Sequence, residues 1–455
     1  MRTVIRLGAA AVTVAAALAT LGADAPHVYA IKGARLLTAA GPAIASGTIV
    51  IRNGLIEAIG PAVQPPADAV VIDGAGLSVY PGLIDMGNTA GLDANANQQQ
   101  PANLRTTEEA ERWKRTLIFR PELEAAEQLR SDAPELARLA GSGITTVLAT
   151  PAGVVVKGRS ALVNVTGPVD EPQIGSIGDY RRGLQVVRTP VALHIDLTEF
   201  PGSVRGDGYP VSLLGAIAFV RQSFLDAQYQ QAVGTRYEKV RTGLVRPVYD
   251  PSLEALQPAL AGTLPVAFEA GFAREISRAL NMARELKLDP VITGGREADQ
   301  VVADLKARNA RVIYSLNFPV RSRMLAADAD EPVSALRSRA QAPRVPAVLH
   351  KSGVLFAFST AGLRDAKDFV RNAARAVKDG LPADAALRAL TIDAARIAGA
   401  GDRLGSLEAG KIANVLVTDA DLFDEKMKVR HVFVDGRMVV IEDAPTSDRR
   451  GRPGQ

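Results

Sequence analysis

The side chains best suited to chemistry sit in a few short stretches. Glu269, in L-P-V-A-F-E-A, is a carboxylate at the end of a short β-like run. It is the one candidate catalytic residue, either as a general base or as the partner of Lys157 or an arginine in an ion pair. His194 and Asp196 stand two apart in V-A-L-H-I-D-L, so on a strand they share a face. With Glu269 and Asp85 they could hold one divalent metal through mixed nitrogen and oxygen ligands. The favoured alternative is that His194 hydrogen-bonds internally and Asp196 begins a loop. Lys157 follows the apolar Val154 to Val156 and could bind a carboxylate, although a solvated loop lysine is the commoner use. Gly294-Gly295-Arg296-Glu297 opens a helix, where backbone amides and Arg296 could hold an anion; a tight turn is the commoner reason for paired glycines. Lys157, His194, Arg296 and Glu297 are thus the candidate substrate-binding residues. Ser359-Thr360 has no elbow motif and no nearby histidine, which argues against a serine nucleophile. There are 4 histidines and 0 cysteines, which excludes thiolate metal sites and disulfides.

These groups need a scaffold. Asn53-Gly54 and Asp435-Gly436 each separate two β-like runs, a strong hairpin signal because both loop positions need positive φ. One hairpin lies near each end of the chain, so two β blocks bracket the middle and are expected to pair into one small sandwich. Between them strands and helices alternate. Strands are predicted at 144–149, 191–197, 266–269, 291–293, 311–316 and 354–358, and helices at 274–286, 297–308 and 365–378. In the first helix Ile276, Ala279, Leu280, Ala283 and Leu286 fall on one face. Repeated strand–helix units imply a parallel sheet, and this number fits a (β/α)₈ barrel with insertions. The expected division is a leader at 1–25, a β-sandwich from 26–80 and 399–455, and a barrel at 81–398. The polar stretch Asp93 to Arg115 is placed at the barrel's C-terminal face, as a lid or a surface loop, with Trp113 a possible anchor. His350 reads as a helix-end residue, and His431 as part of the terminal β block.

Three stretches carry a family resemblance: Y-P-G-L-I-D at Tyr80 to Asp85, G-I-T-T-V-L-A-T-P-A-G-V-V-V-K-G-R-S-A-L-V-N-V-T-G at Gly143 to Gly167, and Ala389 to Val417 with L-G-S-L-E-A-G-K-I-A-N. Together they resemble the secreted, imidazolonepropionase-like branch of the amidohydrolase superfamily. The resemblance implies a barrel with a composite β-sandwich, and a metal-dependent hydrolase of carbon–nitrogen bonds. In the family the metal makes hydroxide near neutral pH and polarises a carbonyl, and an aspartate after the last strand moves the proton. The implied ligands are two histidines on the first strand and further ligands on later ones. Here those positions hold Gly87, Thr89, Glu269, Gly295 and Ala361. No metal is therefore expected; a single divalent ion at the altered site is the alternative.

Composition fits this frame. The 455 residues are 47% hydrophobic and 22% charged, ordinary globular values that allow a large core. A net charge of +4, interspersed and without a basic stripe, gives no reason to expect nucleic acid as a partner. Arg2 and Arg6, the apolar Leu7 to Leu21 and Ala23-Asp24-Ala25 read as a secretory leader, so the mature chain is expected outside the cytoplasm, periplasmic or secreted, and not in a membrane. The leading expectation is a non-catalytic binding or scaffolding subunit, beside an active amidohydrolase paralogue or in a homo-oligomer. A working hydrolase of cyclic amides or dipeptides using Glu269, His194 and Asp196 is one alternative; a small-molecule binding protein is the other.

Overall fold

A computed structural model describes residues 28–92, 103–130, 133–165, 185–198, 209–243, 245–326, 328–439 and 441. The expected leader, residues 93–102 of the polar stretch and the basic tail lie outside these residues.

The N-terminal block is β1 (Val28–Leu36), β2 (Ile44–Arg52), β3 (Leu55–Gly60), β4 (Val70–Asp73) and β5 (Ser78–Pro81). The middle of the chain supplies β6 (Leu83–Asn88), β7 (Ile144–Ala149), β8 (Val155–Arg159), β9 (Ala161–Asn164), β10 (Gln185–Arg188), β11 (Leu193–Asp196), β12 (Val266–Ala270), β13 (Pro290–Gly294), β14 (Arg311–Ser315) and β15 (Phe356–Ser359). The chain closes with β16 (Val415–Thr418), β17 (Val429–Val434) and β18 (Arg437–Met438).

Both ends enter one eight-stranded sheet in the order β18-β17-β16-β5-β1-β2-β3, with β4 also beside β1. The seam is β5 against β16, antiparallel, pairing Pro81 with Val415 and Ser78 with Thr418. The two hairpin turns form as their residues dictate: Asn53 and Gly54 have φ of 51° and 80°, and Asp435 and Gly436 have 51° and 73°. Ile31, Leu36, Ile49, Ile51, Val415 and Phe433 share one apolar cluster, which crosses that seam.

The middle strands form two sheets. One runs β10-β9-β7-β6; the other runs β15-β14-β13-β12-β11-β8. β11 through β15 are mutually parallel, as the alternation requires. Alternate residues from both sheets, including Ile84, Leu148, Ala267, Val291, Ile313 and Ala357, meet in one cluster. Their neighbours on the other face join the larger helix-packed core, among them Leu83, Val147, Phe268, Ile292, Val312 and Phe358. Burial on both faces explains why these strands read as unbroken apolar runs.

Among the described residues the strand ladder does not close into a ring. The antiparallel strands β8, β9 and β10, absent from the expected strand–helix alternation, stand between β7 and β11. At the other gap, β15 and β6 are joined through side chains. Thr360 N and Oγ1 donate to the two oxygens of Asp85 at 2.8 and 2.5 Å, and Ser359 Oγ donates to Gly87 O at 3.1 Å.

Two of the three predicted helices follow expectation, at Ala273–Leu286 and Asp368–Lys378. The run predicted as a helix over 297–308 is instead a 3₁₀ turn, Ala298–Val301, leading into the short helix Val302–Ala307. Within the polar stretch Thr107–Thr116 is helical, started by a reciprocal cap between Thr106 and Glu109, and Trp113 on it is half-buried. A 27-residue helix, Leu213–Lys239, follows β11.

Candidate functional site

The parallel register explains how the site is assembled. Asp196 on β11 lies directly opposite Glu269 on β12, and His194 opposite Ala267. Ala267 belongs to the cluster between the strands, so the period of two brings His194, Asp196 and Glu269 to that same inner side. Asp196 and Glu269 lie toward the C-terminal ends of their strands.

Lys157 arrives by a different device. β8 runs antiparallel to β11, pairing Gly158 with His194 and Val156 with Ile195, so Lys157 is the extra residue of a β-bulge. A bulge re-aims the side chain it carries. Its backbone is unusual on both sides: Val155 has φ of 61° and Gly158 of 124°. At Gly158 a Cβ would stand 2.7 Å from Leu123 O, so only glycine fits. The expectation of a solvated loop lysine fails here: Lys157 is 8% exposed. Its Nζ lies 2.5 Å from Glu269 Oε1 and 3.2 Å from Asp196 Oδ2.

One ammonium thus serves two carboxyl groups, and the electrostatics follow. Burial lifts Glu269 to about 7; the Lys157 charge opposes the rise and the Asp196 carboxylate adds to it. Burial acts against the charge on Asp196 as well, but Lys157 and the hydrogen bonds from Thr198 hold it below the usual carboxylate range. Thr198 N and Oγ1 both donate to Asp196 Oδ1, at 2.8 and 2.6 Å. Burial disfavours the Lys157 ammonium, yet the Glu269 and Asp196 carboxylates outweigh it and raise its pKa. The proton on the acidic side therefore belongs to the Asp196–Glu269 pair, with Glu269 as its principal holder.

His194 is 1% exposed, and neither ring nitrogen has a hydrogen-bond partner. The expected internal hydrogen bond of His194 is not formed. Burial first, and the Lys157 charge second, push His194 down to about 3, which leaves it neutral.

These groups line a cavity of about 590 Å³ whose wall includes Lys157, His194, Thr198, Glu269, Thr293 and Ser359. Gly87, Thr89 and Ala361 lie on the same cavity. Thr89 and Ala361 are solvent-exposed, while Gly87 is pressed against β15, where a Cβ would come 2.8 Å from Ser359 Oγ. Gly295 is buried, and a Cβ there would meet Val312 Cγ1 at 2.9 Å. Its neighbour Gly294 lines the cavity.

Arg296 and Glu297 serve elsewhere. The Arg296 guanidinium lies over the Phe272 ring, 5.6 Å from its centre. Glu297 Oε2 accepts from Ala273 N at 2.9 Å, at the start of the helix Ala273–Leu286. His350 lies at the end of Val345–Lys351, and His431 on β17.

A divalent metal does not fit these side chains. Asp85, fully buried, already accepts from Gly87 N, Asn88 Nδ2, Thr360 N and Thr360 Oγ1. It is a structural clamp, lifted to about 6 by burial against the pull of those donors, and it has no lone pair to offer. Glu269 and Asp196 are engaged by the Lys157 ammonium, whose charge would repel a metal held by the same oxygens. Among the described residues no three His, Asp or Glu side chains converge as a ligand set.

Sequence reasoning grouped His194 and Asp196 with Glu269 and Asp85 and offered Lys157 as an ion-pair partner of Glu269; the fold brings His194, Asp196, Glu269 and Lys157 together and uses Asp85 as a clamp between β6 and β15. The bulge was missed. The signal available was Lys157-Gly158 directly after a β-branched run, since glycine inside a strand pattern marks a bulge or a close backbone approach.

Residues 279–439 match the model of the amidohydrolase family. Among curated proteins, amidohydrolase tasK of Hapsidospora irregularis is 24% identical over 409 residues, covering 86% of this chain and 39% of that protein. The chain therefore spans well under half of the length of this relative. Among solved structures, an amidohydrolase from Thermotoga maritima MSB8 superposes with a TM-score of 0.72 at 23% identity, over 90% of this chain and 99% of that one. A prolidase complexed with N-methylphosphonate-L-proline gives 0.53 at 16% identity, over 90% of this chain and 99% of that one. The family match is thus confined to residues 279–439, and the chain shares its mixed α/β fold with the solved amidohydrolase of Thermotoga maritima MSB8.

Proposed function

We propose that this is an exported amidohydrolase-fold protein, a barrel with a β-sandwich built from both chain ends, that works without a metal as a non-catalytic binding subunit. The observation that carries this reading is the Lys157 ammonium lodged between Asp196 and Glu269. It supplies the positive charge that a metal ion would bring to these carboxyls, but it has no open coordination position for water and no acidity to share near neutral pH. Its partner is an active amidohydrolase paralogue or a second copy of the same chain. The test is elemental analysis of the purified mature protein after exhaustive dialysis. The expected result is no stoichiometric zinc, manganese or iron; a retained equivalent of any of them overturns the proposal.

A second reading has one observation in its favour. Glu269 sits on the cavity with its proton affinity raised to about 7, a value suited to general acid–base work. In that case the chain hydrolyses cyclic amides or dipeptides without metal, with Glu269 moving the proton and His194 and Asp196 positioned beside it. Turnover in an amide and dipeptide library that Glu269→Gln abolishes supports it; turnover that survives this substitution dismisses it.

A further inference from the structure

We infer that the outer face of the helix Leu213–Lys239 is where two copies of this chain pair, helix against helix and antiparallel. This surface is independent of the cavity, and it chooses between the two partners that the binding-subunit reading leaves open.

The helix has two apolar faces. Ala216, Val220, Phe224 and Ala227 are buried, in steps of four, four and three. Leu214, Ala218, Leu225, Tyr229 and Ala232 are exposed, in steps of four, seven, four and three. At about 100° per residue these two sets fall on opposite sides of the helix. Leu214 is 78% exposed and Tyr229 73%. Apolar side chains aligned in one stripe mark an interaction surface, whereas scattered ones do not. Steps of three and four are the spacing that receives another helix, knob into hole.

The helix also outruns the body that supports it. Ala227 is its last buried residue. Gly234 lies on the same side as the buried face, yet a Cβ added there would meet nothing within 4 Å. A stretch as short as Gln228 to Lys239 is marginal as a free helix in water. In an antiparallel pair, each projecting half lies along the supported half of the other copy.

Charge and size fix the direction. A parallel pair sets Arg236 against Arg236 and Lys239 against Lys239. About a two-fold axis through the middle of the stripe, Leu225 instead meets Tyr229, and Arg236 passes over the small Ala218. Arg221, on the flank, is already held by Glu285 at 2.6 and 2.9 Å. The helix is about 40 Å long and about 10 Å across, so on the order of 500 Å² of each copy is covered. Tyr209, its ring 6.1 Å from that of Phe219, and the exposed Val240 at the helix end widen this contact toward the roughly 600 Å² per partner at which specific interfaces begin.

The experiment is sedimentation equilibrium of the whole mature protein over a wide dilution series. A dimer is expected. The double variant Leu225→Glu, Tyr229→Glu places carboxylates along the seam and is expected to be a monomer with unchanged circular dichroism. The chain has 0 cysteines, so introduced ones report the geometry even if the glutamate variant does not fold. Under mild oxidation a mixture of Ala218→Cys and Arg236→Cys proteins is expected to form a disulfide-linked heterodimer, and Ala218→Cys alone to form none. A monomeric parent, a dimer that persists in a folded glutamate variant, or Ala218→Cys linking to itself as readily as in the mixture overturns the inference. Metal content read on the same samples keeps the two proposals apart: a dimer that retains metal sinks only the metal-free reading, and a metal-free monomer sinks only this one.

Discussion

Replacing Glu269 with glutamine tests the electrostatics of the site directly. The unfolded chain holds this proton with the ordinary value of 4.5, and the folded chain with about 7. Below the lower value both states are protonated and the group adds no penalty. As pH rises, the folded state must either keep the proton or hold a buried charge, so stability falls and the loss is complete above about 7. The interval, at about 1.4 kcal/mol per tenfold in proton affinity, sets a ceiling of about 3 kcal/mol. The Glu269 side chain is 30% exposed, so solvent in the cavity reduces this to about 1–2 kcal/mol. Glutamine keeps the shape and cannot ionise, while Lys157 keeps Asp196. Glu269→Gln is therefore expected to match the parent near pH 4.5 and to be more stable by about 1–2 kcal/mol at pH 8, measured by urea denaturation at both values. If the variant is instead less stable at pH 8 than at pH 4.5, relative to the parent, the Lys157–Glu269 pair outweighs its desolvation and the reasoning is refuted.

Other perturbations follow from the same geometry. Lys157→Met removes the one cation from two buried carboxyls and is expected to lose about 3–5 kcal/mol at pH 8, with partial recovery in acid; equal loss at both pH values counts against the ion-pair account. His194→Leu replaces an unpartnered buried imidazole with an apolar group and is expected to be neutral or to gain about 1–2 kcal/mol; a clear loss in urea melts means the ring has a partner. Asp85→Asn turns a pure acceptor toward four donors and is expected to lose about 2–4 kcal/mol, seen as a lower denaturation midpoint. Restoring histidines through Gly87→His and Thr89→His is not expected to create a zinc site, because a Cβ at 87 collides with Ser359 Oγ at 2.8 Å; an equivalent of zinc retained after dialysis would show that β15 gives way.

Much of the scaffold was legible because its signals are local. Asn53-Gly54 and Asp435-Gly436 need no tertiary context to turn the chain, and the helix at Ala273–Leu286 announces itself by its apolar face. The predicted strand at 191–197 contains β11. What was hidden depends on distant partners. The strands β8 to β10 interrupt the alternation, and only their register against β7 and β11 reveals them. Glu269 was recognisable as a carboxylate in an interesting place, but its proton affinity is set first by burial in the folded chain and then by Lys157 and Asp196, the former 112 residues away. Arg296 and Glu297 illustrate the converse: charged residues beside paired glycines suggested an anion site, and the fold uses them for ring stacking and for a helix start.

The seam between β5 and β16 has a consequence for biosynthesis. β5 leaves the ribosome early, and its partner strand β16 follows about 330 residues later. At roughly 5–20 residues per second, that edge waits for tens of seconds with its backbone donors and acceptors unpaired. An open strand edge beside Tyr80 and Val79 is a template for the wrong strand. The nascent chain thus has a long window in which another molecule, a chaperone or a second unfinished copy, can occupy the place that residues 415–418 are destined to fill.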